Sequence, residues 1–177
     1  MEENTFDKGM LTLMVYYQNF EFDTAPKEKD LVGKFKKKVW YESLSKITDD
    51  TFMKLVESYC KSNIYPPQSP THLIQHMKDL VLLNEMSGEE AWEYAYKIVK
   101  KNIFEVSWAM SELKKEGKDN IANTLKEMES RFRNLLTDDL PYVRKDFIEI
   151  YKRIVTQNVN QNVLLGDLSQ LKLGEGK

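Results

Sequence analysis

At 177 residues, with 41% hydrophobic and 31% charged side chains, the chain is long enough to bury one core or two small ones, which excludes disorder as its default state. Its formal net charge of −2 gives no global attraction to phosphate or anionic lipid, so genome-wide DNA coating is not expected and any nucleic-acid contact must come from a local patch. A single cysteine, Cys60, cannot form an internal disulfide, and no apolar stretch has the span of a membrane helix or the layout of a signal peptide, so a cytoplasmic, membrane-free setting is expected.

Seven glycines, five prolines and the lack of bounded two-residue alternation predict an all-α fold. The periodicity gives a small helical bundle of about eight helices in two halves, 1–86 and 87–157, with a flexible, leucine-containing C-terminal tail over 158–177. The first helix spans about Thr5 to Gln18, with Met10, Leu13, Met14 and Tyr17 on one stripe and Gly9 as a weak point. Thr24 is placed to cap a second helix, with Pro26 in its tolerant first turn and Leu31, Phe35, Val39 and Trp40 as its apolar face. Its other face carries Lys34, Lys36, Lys37 and Lys38, which is a solvated helix face in the plain reading. In the sharper one, with Trp40, it is a local contact for single-stranded DNA or an acidic partner.

Thr48, Asp49 and Asp50 supply an N-cap and acidic first turn for a third helix that buries Phe52, Leu55, Val56 and Tyr59 and ends near Asn63. Pro66 and Pro67 lack N–H donors and hold the chain extended, and Ser69-Pro70 opens the next helix, with Leu73, Ile74, Met77, Leu80 and Val81 facing inward. This order of helix, Lys-Ser-Asn-Ile-Tyr-Pro-Pro-Gln-Ser-Pro-Thr-His-Leu-Ile corner, and helix resembles the phage replicative helicase loader/inhibitor family over roughly the first half of the chain. Members are small, helical and free of ATPase motifs. The resemblance implies a partner, the hexameric replicative helicase of phage or host, with an origin-binding initiator protein as a second one, and a place in the cytoplasm of a bacterial host cell. It brings no catalytic residue with it.

Further on, Ser87-Gly88-Glu89-Glu90 matches a capping box that starts a helix with Trp92, Ala95, Tyr96 and Val99 on its stripe. A break near Asn102 precedes a helix from Phe104 to Lys115 that buries Trp108 and Leu113 and stops at Gly117. Ile121, Leu125, Met128 and Phe132 continue as one helix toward Leu135 and Leu136, and Thr137-Asp138-Asp139 restarts the chain. Val143, Phe147, Ile150, Tyr151 and Ile154 face one way along the last long helix, expected to end by Gln157. This half, with its Val143-to-Tyr151 run, is similar to the second halves of phage replication accessory proteins.

The amide run Asn158 to Asn162 has the composition of a solvated spacer, and Leu164, Leu165, Leu168 and Leu171 beyond it fall on one side of a short helix. Such a segment either docks on its own core or folds into a groove of a partner. With Ile64 and Tyr65 of the corner, these leucines are the candidate partner-binding residues; Trp40 and Tyr41 are further exposed anchors in this reading.

No phosphate-binding GxxxxGK[ST] loop occurs, so a P-loop ATP-driven mechanism is excluded. His72 and His76 lie one turn apart but lack the glutamate of a zinc-binding H-E-x-x-H helix, and Cys60 reads as a small buried hydrophobe. No catalytic residue, metal or cofactor is assigned. The leading expectation is a helicase-binding replication accessory protein; the alternative is an origin- or single-stranded-DNA-binding module.

Overall fold

The computed structural model describes residues 1–102, 105–133 and 137–164. Among them are nine α-helices, a short 3₁₀ turn and no strand, so the fold is all-α. They are α1 (Glu3–Tyr16), α2 (Leu31–Leu44), α3 (Asp49–Ser62), α4 (Pro70–Asn84), α5 (Gly88–Lys101), α6 (Val106–Lys115), α7 (Asp119–Glu127), α8 (Glu129–Arg133) and α9 (Leu140–Leu164), with the 3₁₀ turn at Thr137–Asp139. None of the described helices is long and apolar enough to cross a membrane. Two compact units are present: Met1–Asn84 with the described residues from Val159 on, and Glu85–Asn158.

In the first unit, Asp49 serves two helices. It lies in the acidic first turn of α3, whose N-cap Thr48 accepts from Thr51 N. Its carboxylate also accepts from Glu2 N and from the Thr5 hydroxyl, each at 2.9 Å. These hydrogen bonds satisfy donors at the start of α1 and hold the Asp49 carboxyl below its usual pKa, the Glu2 N–H contributing most. At the far ends of the same helices the Tyr17 hydroxyl donates to the Asn63 carbonyl at 2.8 Å. Between these ties Phe6, Met10, Leu13, Phe52, Leu55 and Val56 are fully buried, so α1 and α3 share the long seam of this core. Gly9 is there because the helices approach too closely for a side chain: a Cβ would overlap the edge of the Phe52 ring.

The corner after α3 behaves as its prolines dictate. Residues 63–69 form neither helix nor strand, and Pro67 and Pro70 are buried. The His72 ring, two residues into α4, reaches back so that its Nδ1 accepts from Gln68 N at 3.2 Å, much as a capping-box glutamate would. One turn later the His76 ring sits edge-on to Tyr59 and its Nε2 lies 3.1 Å from the Ser58 hydroxyl. Both histidines are thus employed in fixing α4 against α3 and the corner. Leu73, Met77 and Val81 point into the core, with Ile74 and Leu80 partly buried beside them.

In the second unit the Ser87–Glu90 capping box is complete, and Trp92, Phe132 and Phe147 from α5, α8 and α9 meet with ring centroids 5.5 to 6.5 Å apart. Gly117 adopts φ 70°, while Lys118 N donates to Leu113 O and Gly117 N to Lys114 O. That pair of bonds is a Schellman cap, open to a residue without a Cβ.

Several boundaries differ from expectation. The helix expected from Thr24 begins instead at Leu31, because Asp30 accepts from Gly33 N at 2.9 Å as the N-cap, while the Thr24 carbonyl accepts from the Lys37 ammonium. The helix expected from Phe104 begins at Val106; Phe104 itself, like Leu135 and Leu136, lies outside the described residues. The run through Ile121 and Phe132 is two helices, broken at Met128. The amide spacer is helical. Asn158 donates to Asn120 Oδ1 at 2.7 Å, Asn160 accepts from Lys78 at 3.2 Å and Val159 is buried in the first unit's core. With partners for their amides, these residues continue α9 where solvated amides would end it.

Two measurements test this packing. Gly9→Ala gains about 1 kcal/mol in helix propensity but forces atoms into the Phe52 ring, at about 1–3 kcal/mol; because Phe52 is fully buried, the variant should unfold at lower denaturant, and an unchanged or raised midpoint would show a looser seam. Burial lowers the pKa of His76 from its ordinary 6.5, against smaller raising effects of Asp79 and Ser58. Below that ordinary value the unfolded chain takes up the proton more readily than the fold does, so stability falls as pH drops from about 6.5 through the folded pKa. His76→Gln should flatten that part of the stability profile relative to the parent chain.

Candidate protein-binding surface

α2 has two apolar faces, and the fold buries the one with a lysine in it. Trp40, 4% exposed, lies against Phe20 and Phe22 with centroids 5.9 and 5.7 Å away, and Leu44 below it is fully buried. Tyr41 is half-buried, its hydroxyl donating to the Met1 carbonyl and its ring edge-on to Phe6. Lys37 completes this inner face. Its ammonium stands 2.7 Å from Glu3 and 3.1 Å from Asp7 and donates to the Thr24 carbonyl.

Of the expected core stripe, Trp40 faces inward while Leu31, Phe35 and Val39 are on the outside. Leu31 is 75% and Phe35 69% exposed, with Val32 and Val39 exposed beside them. Residues 31, 35 and 39 fall one turn apart, so they make a continuous ridge. Lys34 and Lys38 border that ridge, both exposed; Lys38 has only a loose pairing with Glu42, 3.8 Å away. Lys36 lies on the opposite flank and is occupied: it donates to the Glu21 carbonyl at 2.7 Å and covers the Phe22 ring at 5.5 Å.

These positions revise the candidate DNA contact. Lys34 and Lys38 are accessible, Lys36 and Lys37 are tied into the fold, and Trp40 is an interior ring that no base can stack on. The exposed aromatic in that stretch is Phe35. Trp40 and Tyr41 likewise leave the set of exposed anchors.

Ile64 and Tyr65 are exposed at the corner. Leu164 closes α9, with its side chain outside the described residues, and Leu165, Leu168 and Leu171 lie outside them altogether. In the second unit Trp108, expected in the core, is 64% exposed, while Val106, Ala109 and Leu113 fill the inner face of α6. Val32, and Leu11, Val15 and Tyr16 of α1, are exposed apolar positions that periodicity did not single out; the three on α1 share that helix with a stronger inward stripe.

Three acidic groups of the interior are held in their protonated forms at neutral pH. Burial raises the Cys60 thiol, burial takes Tyr17 to about 12, and burial followed by the Glu85 carboxylate raises Tyr151. Among the described residues, no group of three or more His, Cys, Asp or Glu side chains could hold a metal ion. No protein-family model, curated protein or solved structure matches the chain.

The two faces of α2 predict opposite costs. Phe35→Ser and Leu31→Ser should each change stability by less than about 0.5 kcal/mol, whereas Trp40→Ala should cost about 3–5 kcal/mol. Chemical denaturation of the three variants separates them; a large loss at Phe35 would place that ring in the core.

Proposed function

We propose that the chain is a non-catalytic adaptor of phage DNA replication that binds the hexameric replicative helicase of phage or host, in the bacterial cytoplasm, and loads or restrains it. The observation that carries the adaptor reading is the exposed apolar ridge on α2. A helix that already has a full inner face gains nothing in its own fold from Leu31, Phe35 and Val39, and an apolar ridge edged by charge suits a protein partner. The helicase as that partner, and an origin-binding initiator as a second, rest on the Lys61-to-Ile74 resemblance. Ile64 and Tyr65, exposed on the same unit, extend the contact surface, and Leu165, Leu168 and Leu171 are its remaining elements.

A single-stranded-DNA-binding module is the second reading, favoured by the exposure of Phe35 between Lys34 and Lys38 on one helix. It has less to work with, since one ring and two exposed lysines, one of them loosely paired with Glu42, are a short track for a strand that prefers successive stacking platforms.

Co-purification of the full chain with the replicative helicase at moderate salt tests the proposal. Phe35→Asp should weaken capture by about 2–4 kcal/mol, the range of a central anchor, with an unchanged melting midpoint. Deletion after Leu164, which spares the buried Val159, measures what the leucines add. Failure of the parent chain to capture any helicase, together with tight and steeply salt-dependent binding to labelled single strands, would favour the second reading.

A further inference from the structure

Resting on the reading of α2 as a docking face, we infer that its occupant is an acidic amphipathic helix of the partner protein, with an apolar stripe along Leu31, Phe35 and Val39 and carboxylates opposite Lys34 and Lys38. The geometry is that of one helix offered to another. The ridge runs at a spacing of four residues over two turns, about 12 Å, and i±4 rows are what the groove of a second helix accepts. A peptide in extended form would meet no free sheet edge here, since the described residues contain no strand.

Charge selects the sign of that helix. The chain as a whole is at −2, yet residues 27–42 hold six lysines (27, 29, 34, 36, 37, 38) against three acids (28, 30, 42). Lys37 is neutralised by Glu3 and Asp7, and Asp30 is engaged as the N-cap of α2. Lys34 and Lys38 remain at the edge of the ridge, Lys38 with only the exposed Glu42 3.8 Å away, so a partner rimmed with carboxylates gains attraction and one rimmed with lysines meets repulsion.

The same charges argue against the other occupants. A second copy in a two-fold contact would lay the same lysine-edged face on itself. A nucleic-acid strand would match the lysines but, with Trp40 interior, find Phe35 alone to stack on and leave Leu31, Val32 and Val39 against phosphate and sugar. The apolar ridge and its basic border are both used only by an acidic amphipathic helix.

The test uses the full chain and two labelled synthetic peptides of about eighteen residues. Both carry leucine and phenylalanine at a spacing of four, one flanked by glutamates and the other by lysines. Anisotropy should show the parent chain binding the acidic peptide at least tenfold more tightly than the basic one, with the preference shrinking as salt rises. Lys34→Glu with Lys38→Glu should reverse the preference, and Phe35→Asp should lose both peptides at an unchanged melting temperature. Equal binding of the two peptides, or binding of neither, overturns the inference. So does a concentration-dependent dimer abolished by Phe35→Asp, or displacement of the acidic peptide by single-stranded DNA. If the double reversal does not fold, the parent chain's preference between the peptides decides. Helicase capture is scored separately: the charge-reversing preference with no helicase captured refutes the helicase and leaves this inference standing, while capture that survives Phe35→Asp moves the helicase site off α2.

Discussion

Lys37 sets its ammonium between Glu3 and Asp7 at a point where its side chain is only 16% exposed, and the way α2 lies against α1 depends on that contact. Burial by itself would lower the lysine's pKa, but the hydrogen bonds it donates to both carboxylates overcome it and raise the value, so the cation persists at every ordinary pH. Asp7 Oδ1 is buried without a hydrogen bond of its own and is met by the ammonium charge alone. Removing the lysine would leave a half-buried carboxylate uncompensated, with its Oδ1 shut off from water, which costs more than the pair contributes. Glu3 is largely exposed and adds little. Turning α2 to bury Leu31 and Phe35 would carry Lys37 out to solvent, separate it from Asp7 and take Trp40 off Phe20 and Phe22. The apolar ridge is outward because the inner face is already committed.

That dependence also explains what could be read from the sequence. Ends of elements were legible wherever one residue type does the local work: Thr48 and Ser87 as N-caps, Gly117 at a positive φ, and the prolines after Tyr65. So were inward stripes on helices with a single apolar face, such as Phe52, Leu55, Val56 and Tyr59. α2 was misread because both its faces contain large apolar residues, and periodicity cannot choose between them. The choice is made by Asp7, 30 positions away in the chain. A buried lysine is the rarer arrangement, so the pattern without it looked like the core.

Trp108 and the amide run failed for related reasons. A tryptophan on a helix is usually inside, but α6 fills its inner face with Val106, Ala109 and Leu113 and has no room for the indole there. Asparagines favour loops when only water is available to them. Asn158 and Asn160 have Asn120 and Lys78 instead, and such partners are visible only once the chain is folded. Of the candidate site, Ile64 and Tyr65 were legible as exposed because a proline corner has little to pack against, whereas the value of Phe35 emerged only from the orientation of α2.

The docking face exists only if Leu31, Phe35 and Val39 meet solvent, and cysteine reactivity along α2 measures that directly. In single variants at Leu31, Phe35, Val39 and Leu44, the native Cys60 serves as a slow internal reference, since it is buried and its thiol is raised by that burial. Cysteines at positions 31, 35 and 39 should react with a thiol reagent at the rate of an unhindered peptide, and the one at 44 should react as slowly as Cys60. Protection at 35 with rapid reaction at 44 would mean that the helix is turned the other way, and would remove the proposed docking face with it.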